Sequence, residues 1–287
     1  MIMSQYDLTN RVVVITGAAN GIGAACARRL YAAGMNLVLV DLAAESLRAV
    51  ASDLRPERVL IAQGSVTDRT RLGEIVEQAR AKFGRIDVVF ANAGIACEPP
   101  RTLRTISEDT FERIIEVDLL GVWRTIRACL PSIIESQGYI LSTASVYAFV
   151  NGVANIPYAA SKAGVEMMMR GLRVELVRTG ASAGVLLPGW VRTRIADSAL
   201  GKHPIAGALV RLAYPFFLRK PIEPEQIAEA VLKGVRHRSR RLVAPRRWAA
   251  VSLLRGPVGH ISDCLLERNE KFQSLLGALE SEADAHL

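Results

Sequence analysis

Two side chains that can move a proton lie four residues apart, at Tyr158 and Lys162. The run from 158 to 179 predicts a helix, in which residues at this spacing share one face. A free tyrosine has a pKa of about 10, too high for an effective base near neutral pH, and a neighbouring cation lowers that pKa by favouring the phenolate. The pair is therefore a candidate for acid–base chemistry. The same spacing also fits an ordinary solvated helix face, so the context must decide.

A second group of residues could hold a dinucleotide. A short apolar run at 11–16 predicts a strand, and three glycines follow within 17–23, where a helix at 22–33 begins. Glycines at such a turn let backbone amides and the helix N-terminus approach a pyrophosphate. Asp41 ends the next strand, where a carboxylate can accept hydrogen bonds from an adenosine ribose and would repel a 2′-phosphate. This combination predicts NAD as the cofactor.

These groups need a scaffold, and the chain alternates strand and helix patterns along most of its length. The alternation implies right-handed crossovers and a parallel sheet. We predict an α/β fold with a single doubly wound parallel sheet, Rossmann-like, with helices on both faces. The polar clusters follow the strands, where such sheets bind ligands. The predicted strands are 11–16, 37–40, 58–62, 86–91, 139–143, 182–187 and one near 242–243; the predicted helices are 22–33, 43–54, 68–83, 107–134, 158–179 and 224–235.

The domain organisation follows from the same patterns. Residues 1–245 are predicted to form the NAD-binding catalytic domain. Within it, the apolar segment 194–222 is broken by glycines and prolines and predicts a mobile helical lid over the substrate. Residues 246–287 are predicted to form a helical, basic C-terminal extension, interrupted at Gly256-Pro257.

In order and spacing, the motifs resemble those of the short-chain dehydrogenase/reductase family of the classical type, from about residue 8 to residue 243. The resemblance implies that Tyr158 exchanges a proton with the substrate oxygen, that Lys162 lowers the pKa of Tyr158 and binds the nicotinamide ribose, and that Ser145 holds the substrate oxygen. The motifs are Thr16-Gly17-x-x-x-Gly21-x-Gly23, Asn92-Ala93-Gly94, Ser145, Tyr158-x-x-x-Lys162 and Pro188-Gly189 with Thr193. The implied contacts to NAD come from Gly17, Asn20, Gly21, Ile22, Gly23, Asp41, Ser65, Val66, Asn92, Ala93, Gly94, Tyr158, Lys162, Pro188, Gly189, Val191 and Thr193.

Two residues depart from the family pattern. Asp118 stands in the central helix where the family usually has an asparagine, and we count it in the catalytic set. The family's asparagine is thought to hold a water through its backbone carbonyl, which Asp118 could still do. A carboxylate near Lys162 would nevertheless weaken the effect of that ammonium on Tyr158. Ser65 stands where the family often has an aspartate that contacts adenine, so we expect that hydrogen bond to be lost or weaker, a difference of about 1 kcal/mol.

Composition excludes several classes of protein. We see no signal peptide, and the longest apolar stretch, 205–218, is shorter than the roughly 20 residues of a spanning helix. The four cysteines and four histidines show no paired or metal-ligand spacing, so we expect no disulfide framework, no metal site and surface positions for the histidines. A reducing cytoplasm is the expected location.

The net charge of +8 is concentrated in one segment. Between Lys233 and Arg255 there are eight Lys or Arg and no Asp or Glu. No groove-reading or aromatic-interleaved element accompanies them, so nucleic acid is not an expected partner. Two interpretations of the tail remain open: a solvated or oligomer-packing surface, or peripheral membrane contact with Trp248 and Leu253-Leu254 as an apolar foot. The family resemblance implies a homodimer or homotetramer.

The leading hypothesis is an NAD-dependent dehydrogenase that acts on a secondary alcohol or ketone. The apolar residues of the lid suggest a small apolar substrate of steroid, lipid or terpenoid type, unless they only pack the lid on the core. Trp190 could line the substrate pocket, or it could be a packing residue with no contact to the substrate. The alternative is a dinucleotide-binding regulator or scaffold with little turnover. The lid residues in question are Leu200, Ile205, Leu209, Leu212, Phe216 and Phe217.

Overall fold

Seven parallel strands form one sheet in the computed structural model, which describes residues 5–193, 196 and 203–284. They are β1 (Val12–Thr16), β2 (Asn36–Asp41), β3 (Val59–Gln63), β4 (Val88–Ala91), β5 (Tyr139–Thr143), β6 (Ser182–Pro188) and β7 (Arg241–Ala244). Their spatial order is β3-β2-β1-β4-β5-β6-β7. The chain therefore winds outward from β1 to one edge, returns to the middle at β4, and winds outward to the other edge. The strand order reverses between β1 and β4, where ligand crevices open in such sheets.

Helices cover both faces of this sheet. They are α1 (Gly21–Ala32), α2 (Ala44–Ala51), α3 (Arg69–Phe83), α4 (Glu108–Ile115), α5 (Gly121–Glu135), α6 (Ile156–Glu175), α7 (Pro204–Ala213), α8 (Phe216–Arg219), α9 (Pro224–Arg236), α10 (Ala249–Leu253), α11 (Arg255–Arg268) and α12 (Glu270–Asp284). Helices α1, α2 and α9 share a core with one face of the sheet, and α3, α5 and α6 share a core with the other. Because the central strands are buried on both faces, their sequences are nearly continuous apolar runs. The predicted α/β fold is confirmed.

The helix predicted over 107–134 is present, since helical residues run without a break from Glu108 to Glu135, but it is not α-helical throughout. Between α4 and α5, residues Glu116–Leu120 form one π-helical turn. Such a turn inserts an extra residue and is common at functional sites. The spacing of apolar residues in the sequence does not reveal the extra residue of the π turn, because α4 before it and α5 after it each keep a buried face.

The extension is helical, as predicted, but its break lies elsewhere than expected. The boundary between α10 and α11 falls at Leu254, and α11 runs through Gly256-Pro257. Proline is tolerated there because the first turn of a helix has no intrahelical acceptor for its missing N–H. Of the predicted lid, α7 and α8 are described, while 194–195 and 197–202, with Leu200, lie outside the described residues.

Candidate active site

The glycine turn after β1 has the geometry of a phosphate cradle. Gly17 has a φ of +67°, and a Cβ there would lie 2.8 Å from the Cα of Ala93. A Cβ on Gly23 would overlap the carbonyl oxygen of Gly17. The turn therefore packs directly against the end of β4, and the N-terminus of α1 faces the crevice with no acidic residue in its first turn.

Asp41, at the end of β2, lines the cleft beside this turn. Its Oδ2 accepts a hydrogen bond from the backbone N–H of Ala19 at 3.0 Å, and its Oδ1 accepts one from Ala43 at 3.2 Å. The carboxylate thus fixes the glycine turn while its remaining lone pairs stay available toward the cleft. The next residue, Leu42, also lines the cleft and brings no positive charge.

Asn92 joins the ends of three strands rather than reaching into the cleft. Its side-chain amide donates to the carbonyl oxygen of Thr16 at 3.2 Å, and its Oδ1 accepts from the Thr143 hydroxyl at 3.0 Å. The Thr16 hydroxyl in turn accepts from the backbone N–H groups of Asn92 and Ala93. These bonds hold the carboxyl ends of β1, β4 and β5 together, with Ala93 and Gly94 on the cleft wall.

The proton-transfer residues meet beyond this junction. The Lys162 Nζ lies 5.3 Å from the ring centre of Tyr158 and 3.0 Å from the Oδ2 of Asp118. It also donates to the carbonyl oxygen of Thr143 at 3.4 Å. Ser145 follows β5, where its hydroxyl caps a short helical turn by accepting from the N–H of Tyr147. Tyr158, Lys162, Asp118 and Ser145 are all buried.

The π turn explains how Asp118 reaches this position. The side chain is completely buried, and its Oδ1 accepts from the backbone N–H of Ile95 at 2.8 Å. Gly94 leaves room for the contact, because a Cβ there would lie 3.1 Å from both Asp118 Oδ2 and Lys162 Nζ. Since Gly94 and Ile95 line the cleft, the ion pair borders the space where a cofactor would lie.

The three buried groups set one another's ionisation. Burial raises the pKa of Tyr158, the ammonium of Lys162 lowers it, and the carboxylate of Asp118 raises it again. Burial alone would lower the pKa of Lys162, but Asp118 and Tyr158 outweigh burial and raise it. Burial raises the pKa of Asp118, against the opposing effects of Lys162 and the Ile95 amide. At 3.0 Å we take the pair as ionised, since each charge stabilises the other.

Tyr147, a second tyrosine in the site, has no cation that acts on it as Lys162 acts on Tyr158. Tyr147 packs edge-on against Tyr158, with ring centres 5.9 Å apart. Burial, followed by the effect of Tyr158, raises the pKa of Tyr147. It therefore stays a neutral phenol, and Tyr158 is the tyrosine that Lys162 can activate.

Of the other cofactor residues that the family resemblance implies, two line the cleft and two follow β6. Ser65 and Val66 line it, although the Ser65 hydroxyl is already hydrogen-bonded to Thr67 at 2.7 Å. After β6, the methyl group of Thr193 is 3.0 Å from a Cβ built on Gly21, which places it at the glycine turn. Val191 is held there by pairing with Ile222. The cleft encloses about 1110 Å³, ample room for a dinucleotide.

Beyond Tyr147 lies a small apolar cavity of about 40 Å³, room for a few water molecules. Of the apolar residues in the predicted lid, Leu209 of α7 lines the cavity, whereas Phe216 and Phe217 are exposed and do not line it. Trp190 does not line it either; it stacks in a buried aromatic cluster with Tyr214 and Trp248. The cavity is lined by Cys97, Pro100, Tyr147, Asn151, Val153, Ala154, Asn155, Ala206, Leu209, Val210, Ala213, Tyr214, Leu266 and Phe272.

Two of these lining residues, Leu266 and Phe272, belong to the C-terminal extension, which the sequence analysis did not place at the site. Hydrogen bonds and ion pairs hold α12 over the cavity. Glu280 accepts from the Thr102 hydroxyl at 2.8 Å and pairs with Arg104 at 3.1 Å. The expectation that all four histidines lie on the surface is wrong for His203, which is largely buried, caps α7 and lies 3.3 Å from Glu282. The sequence signal that α12 packs against the rest of the protein was the apolar residues at 272, 279 and 283, which the structure shows to be buried.

The basic segment also takes part in the packing of the fold, which its composition did not indicate. Trp248, expected as part of an exposed apolar foot, is 0% exposed, and its Nε1–H donates to the carbonyl oxygen of Leu218 at 3.1 Å. Arg241 and Arg255 both pair with the buried Glu166, at 3.2 and 2.9 Å. Arg255 therefore anchors the start of α11 to α6, and Arg241 anchors β7 to the same helix. Within the described residues, no cluster of His, Cys, Asp or Glu could hold a metal ion.

The chain resembles known proteins of one family in sequence and in structure. A family profile described as short chain dehydrogenase matches residues 11–203. An uncharacterized oxidoreductase from Staphylococcus aureus strain USA300 is 33% identical over 226 residues, 78% of this chain and 90% of the relative. The structure resembles a short chain dehydrogenase from Mycobacterium paratuberculosis bound to NAD, with 28% identity and a TM-score of 0.72 over 83% of this chain and 97% of that one. It shares its fold with a short chain dehydrogenase/reductase from Burkholderia phymatum in complex with NAD, at 23% identity and a TM-score of 0.76 over 92% and 97% of the two chains. The chain belongs to the short-chain dehydrogenase family of oxidoreductases, as its motifs predicted.

Proposed function

We propose that this oxidoreductase uses NAD(H) to interconvert a secondary alcohol and a ketone with an apolar body, with Tyr158 as the acid/base. The observation that carries the proposal is the buried group of Tyr158, Lys162, Asp118 and Ser145 at the border of the cleft. Two solved structures that this chain resembles hold NAD, which supports the same cofactor here.

The residues of the cleft fit NAD. The glycine turn and the N-terminus of α1 would hold the pyrophosphate, Asp41 would accept from the adenosine ribose, and Lys162 would donate to the nicotinamide ribose. NAD, when bound, supplies the hydride acceptor and donor of the reaction.

The chain's own residues handle the proton. During alcohol oxidation, the Tyr158 phenolate accepts the proton that leaves the substrate hydroxyl, while the Ser145 hydroxyl holds the substrate oxygen. The ammonium of Lys162 stabilises the phenolate, and the same groups return the proton to the oxygen during ketone reduction. The burial of all three side chains strengthens these interactions, because little water screens them.

The apolar cavity beyond Tyr147 supports a substrate with an apolar body. At about 40 Å³ it is too small for a steroid or terpenoid skeleton in this conformation. Such a substrate requires α7 and α12 to separate, or Tyr147 to change its side-chain rotamer.

The second candidate function is a dinucleotide-binding regulator with little turnover. It is favoured by one observation, the ion pair that engages Lys162 with Asp118. Both functions require the cofactor cleft, and they differ in whether Tyr158 transfers protons.

A cofactor-reduction screen separates the two functions. We expect NADH to form from NAD⁺ with members of a panel of lipophilic secondary alcohols, and Tyr158→Phe to lower turnover by about a hundredfold or more because the transferable proton is lost. Tyr139→Phe is the matched control, since that buried hydroxyl donates to Ser239 away from the site. Full activity of Tyr158→Phe would refute the assigned role, and NAD binding without any turnover would favour the regulator.

Cofactor choice gives the next prediction. NAD should bind at least about tenfold more tightly than NADP, a difference of about 1.4 kcal/mol, because Asp41 repels a 2′-phosphate. Titration of both cofactors by calorimetry measures this directly. Leu42→Arg should raise NADP affinity by supplying a cation at the cleft, whereas Leu103→Arg, at an exposed loop position outside the cleft, should not. A wild-type preference for NADP would contradict the role of Asp41.

The departure at Asp118 predicts a pH effect. The carboxylate raises the pKa of Tyr158, so Asp118→Asn should lower it and move the rising limb of kcat/KM for alcohol oxidation to lower pH. Glu135→Gln, which removes an exposed charge at the far end of α5, should leave the profile in place. Superimposable profiles for wild type and Asp118→Asn would refute the charge coupling. A shift to higher pH would instead show that Asp118 acts mainly by keeping Lys162 protonated.

The cavity wall predicts a change in substrate size preference. Phe272→Ala should raise kcat/KM for long 2-alkanols relative to short ones by about tenfold, because it removes a ring from the wall of the cavity. Phe272→Leu, which leaves a smaller void, should shift the ratio less and in the same direction. Leu265→Ala on the exposed side of α11 is the control. An unchanged ratio in both Phe272 variants would show that substrates do not reach this cavity.

A further inference from the structure

Helix α11 of the extension carries an apolar stripe on its solvent side. Leu254, Val258, Ile261 and Leu265 recur at the spacing of one helix face, and each is between 37% and 65% exposed. We call these four residues the outer stripe. A surface helix ordinarily turns such a stripe toward the core. Here the core side of α11 buries Leu266 instead, so the outer stripe has no contact that explains it within the described chain.

A second apolar projection lies near the start of the extension. Phe216 and Phe217 of α8 are 70% and 59% exposed. Their helix is held against the turn that precedes α10, because Leu218 accepts a hydrogen bond from Trp248 and Lys220 accepts one from Arg247. The two phenylalanines therefore neighbour the start of the extension, where Leu253 is also strongly exposed.

The charges near Phe216 and Phe217 are positive. Arg246 and Arg247 belong to the turn before α10, and Arg219 and Lys220 follow the two phenylalanines. The guanidinium of Arg219 lies 5.5 Å over the ring of Phe216. The nearest acids in α11 are Asp263 and Glu267, each two residues from Leu265 and hence on the opposite side of the helix.

We propose that the outer stripe, together with Leu253, Phe216 and Phe217, docks the protein on an anionic lipid bilayer. The apolar side chains would enter the boundary between headgroups and acyl chains, and the flanking arginines would attract anionic headgroups. Docking of this kind leaves the protein peripheral, and among the described residues no helix is long and apolar enough to cross a membrane.

A second copy of the chain fits this surface less well. A twofold interface would place the same patch against itself. The arginines that flank the apolar residues would then face one another, and like charges in an interface are unfavourable. An anionic surface complements the same charges, which is why we choose it as the occupant.

Cosedimentation with vesicles tests the proposal on the full chain. Wild type should sediment with vesicles of phosphatidylcholine and phosphatidylglycerol more than with phosphatidylcholine alone, and binding should fall as salt is raised. The double variant Leu254→Ser, Leu265→Ser should bind the anionic vesicles about tenfold or more weakly, because two anchors are lost. Its NADH formation should match wild type, since neither residue lines the cleft or the cavity.

The matched control is Val174→Ser, Val177→Ser, which removes two side chains that are 74% and 71% exposed at the end of α6. It should retain vesicle binding. Failure of wild type to sediment with anionic vesicles would overturn the proposal, as would equal loss in both double variants. Light scattering without lipid tests for the competing occupant, a second copy of the chain. If wild type self-associates but does not bind vesicles, and the Leu254 and Leu265 substitutions abolish the self-association, the surface belongs to a second copy.

Discussion

The active site depends on one buried ion pair, between Lys162 and Asp118. A buried ammonium without a partner is costly and tends to lose its proton. The carboxylate of Asp118 keeps Lys162 charged, and this charge in turn favours the phenolate of Tyr158. The same carboxylate also repels the phenolate, so the basicity of Tyr158 reflects a balance between two charges of opposite sign.

Holding this pair constrains four separate parts of the fold. Asp118 lies in the π turn between α4 and α5, and the backbone after β4 supplies the Ile95 N–H that donates to its Oδ1. Helix α6 carries Lys162 and Tyr158, while β5 supplies the carbonyl oxygen of Thr143. Gly94 must lack a side chain for the contact to form. The deformation of the central helix is thus tied to the chemistry rather than to packing alone.

Much of the fold and of the cofactor side could be predicted from the sequence, because local signals determine both. Strands buried on two faces leave continuous apolar runs, and glycines mark the turn after β1. Residues placed directly after parallel strands must meet at one edge of the sheet, so Asp41, Asn92 and Ser145 could be assigned without knowledge of long-range packing. Asn92 shows the limit of this reasoning: its position was predicted, but its side chain bonds to Thr16 and Thr143 inside the protein.

The substrate side could not be predicted in the same way, because it is built from contacts between segments far apart in sequence. Trp248 lies in a strongly basic stretch, yet it is buried against Leu218 and Trp190. Leu266 and Phe272 line the cavity because α11 and α12 pack there, with Glu280 bonded to Thr102 and Arg104 across the fold.

The cofactor cleft and the apolar cavity are built in these two different ways, and this affects which substitutions the protein can tolerate. The cofactor half is fixed by the sheet, where each side chain is constrained by strands on both sides and substitutions disturb the core. The extension lies beyond residue 203, where the match to the family profile ends, and contacts the rest of the chain through one buried face and a few ion pairs. Changes in α11 and α12 can therefore alter the cavity wall or the outward surface while Tyr158, Lys162 and Asp118 keep their arrangement. The residues proposed to carry the chemistry and the walls of the apolar cavity lie in parts of the molecule that are held in place by different interactions.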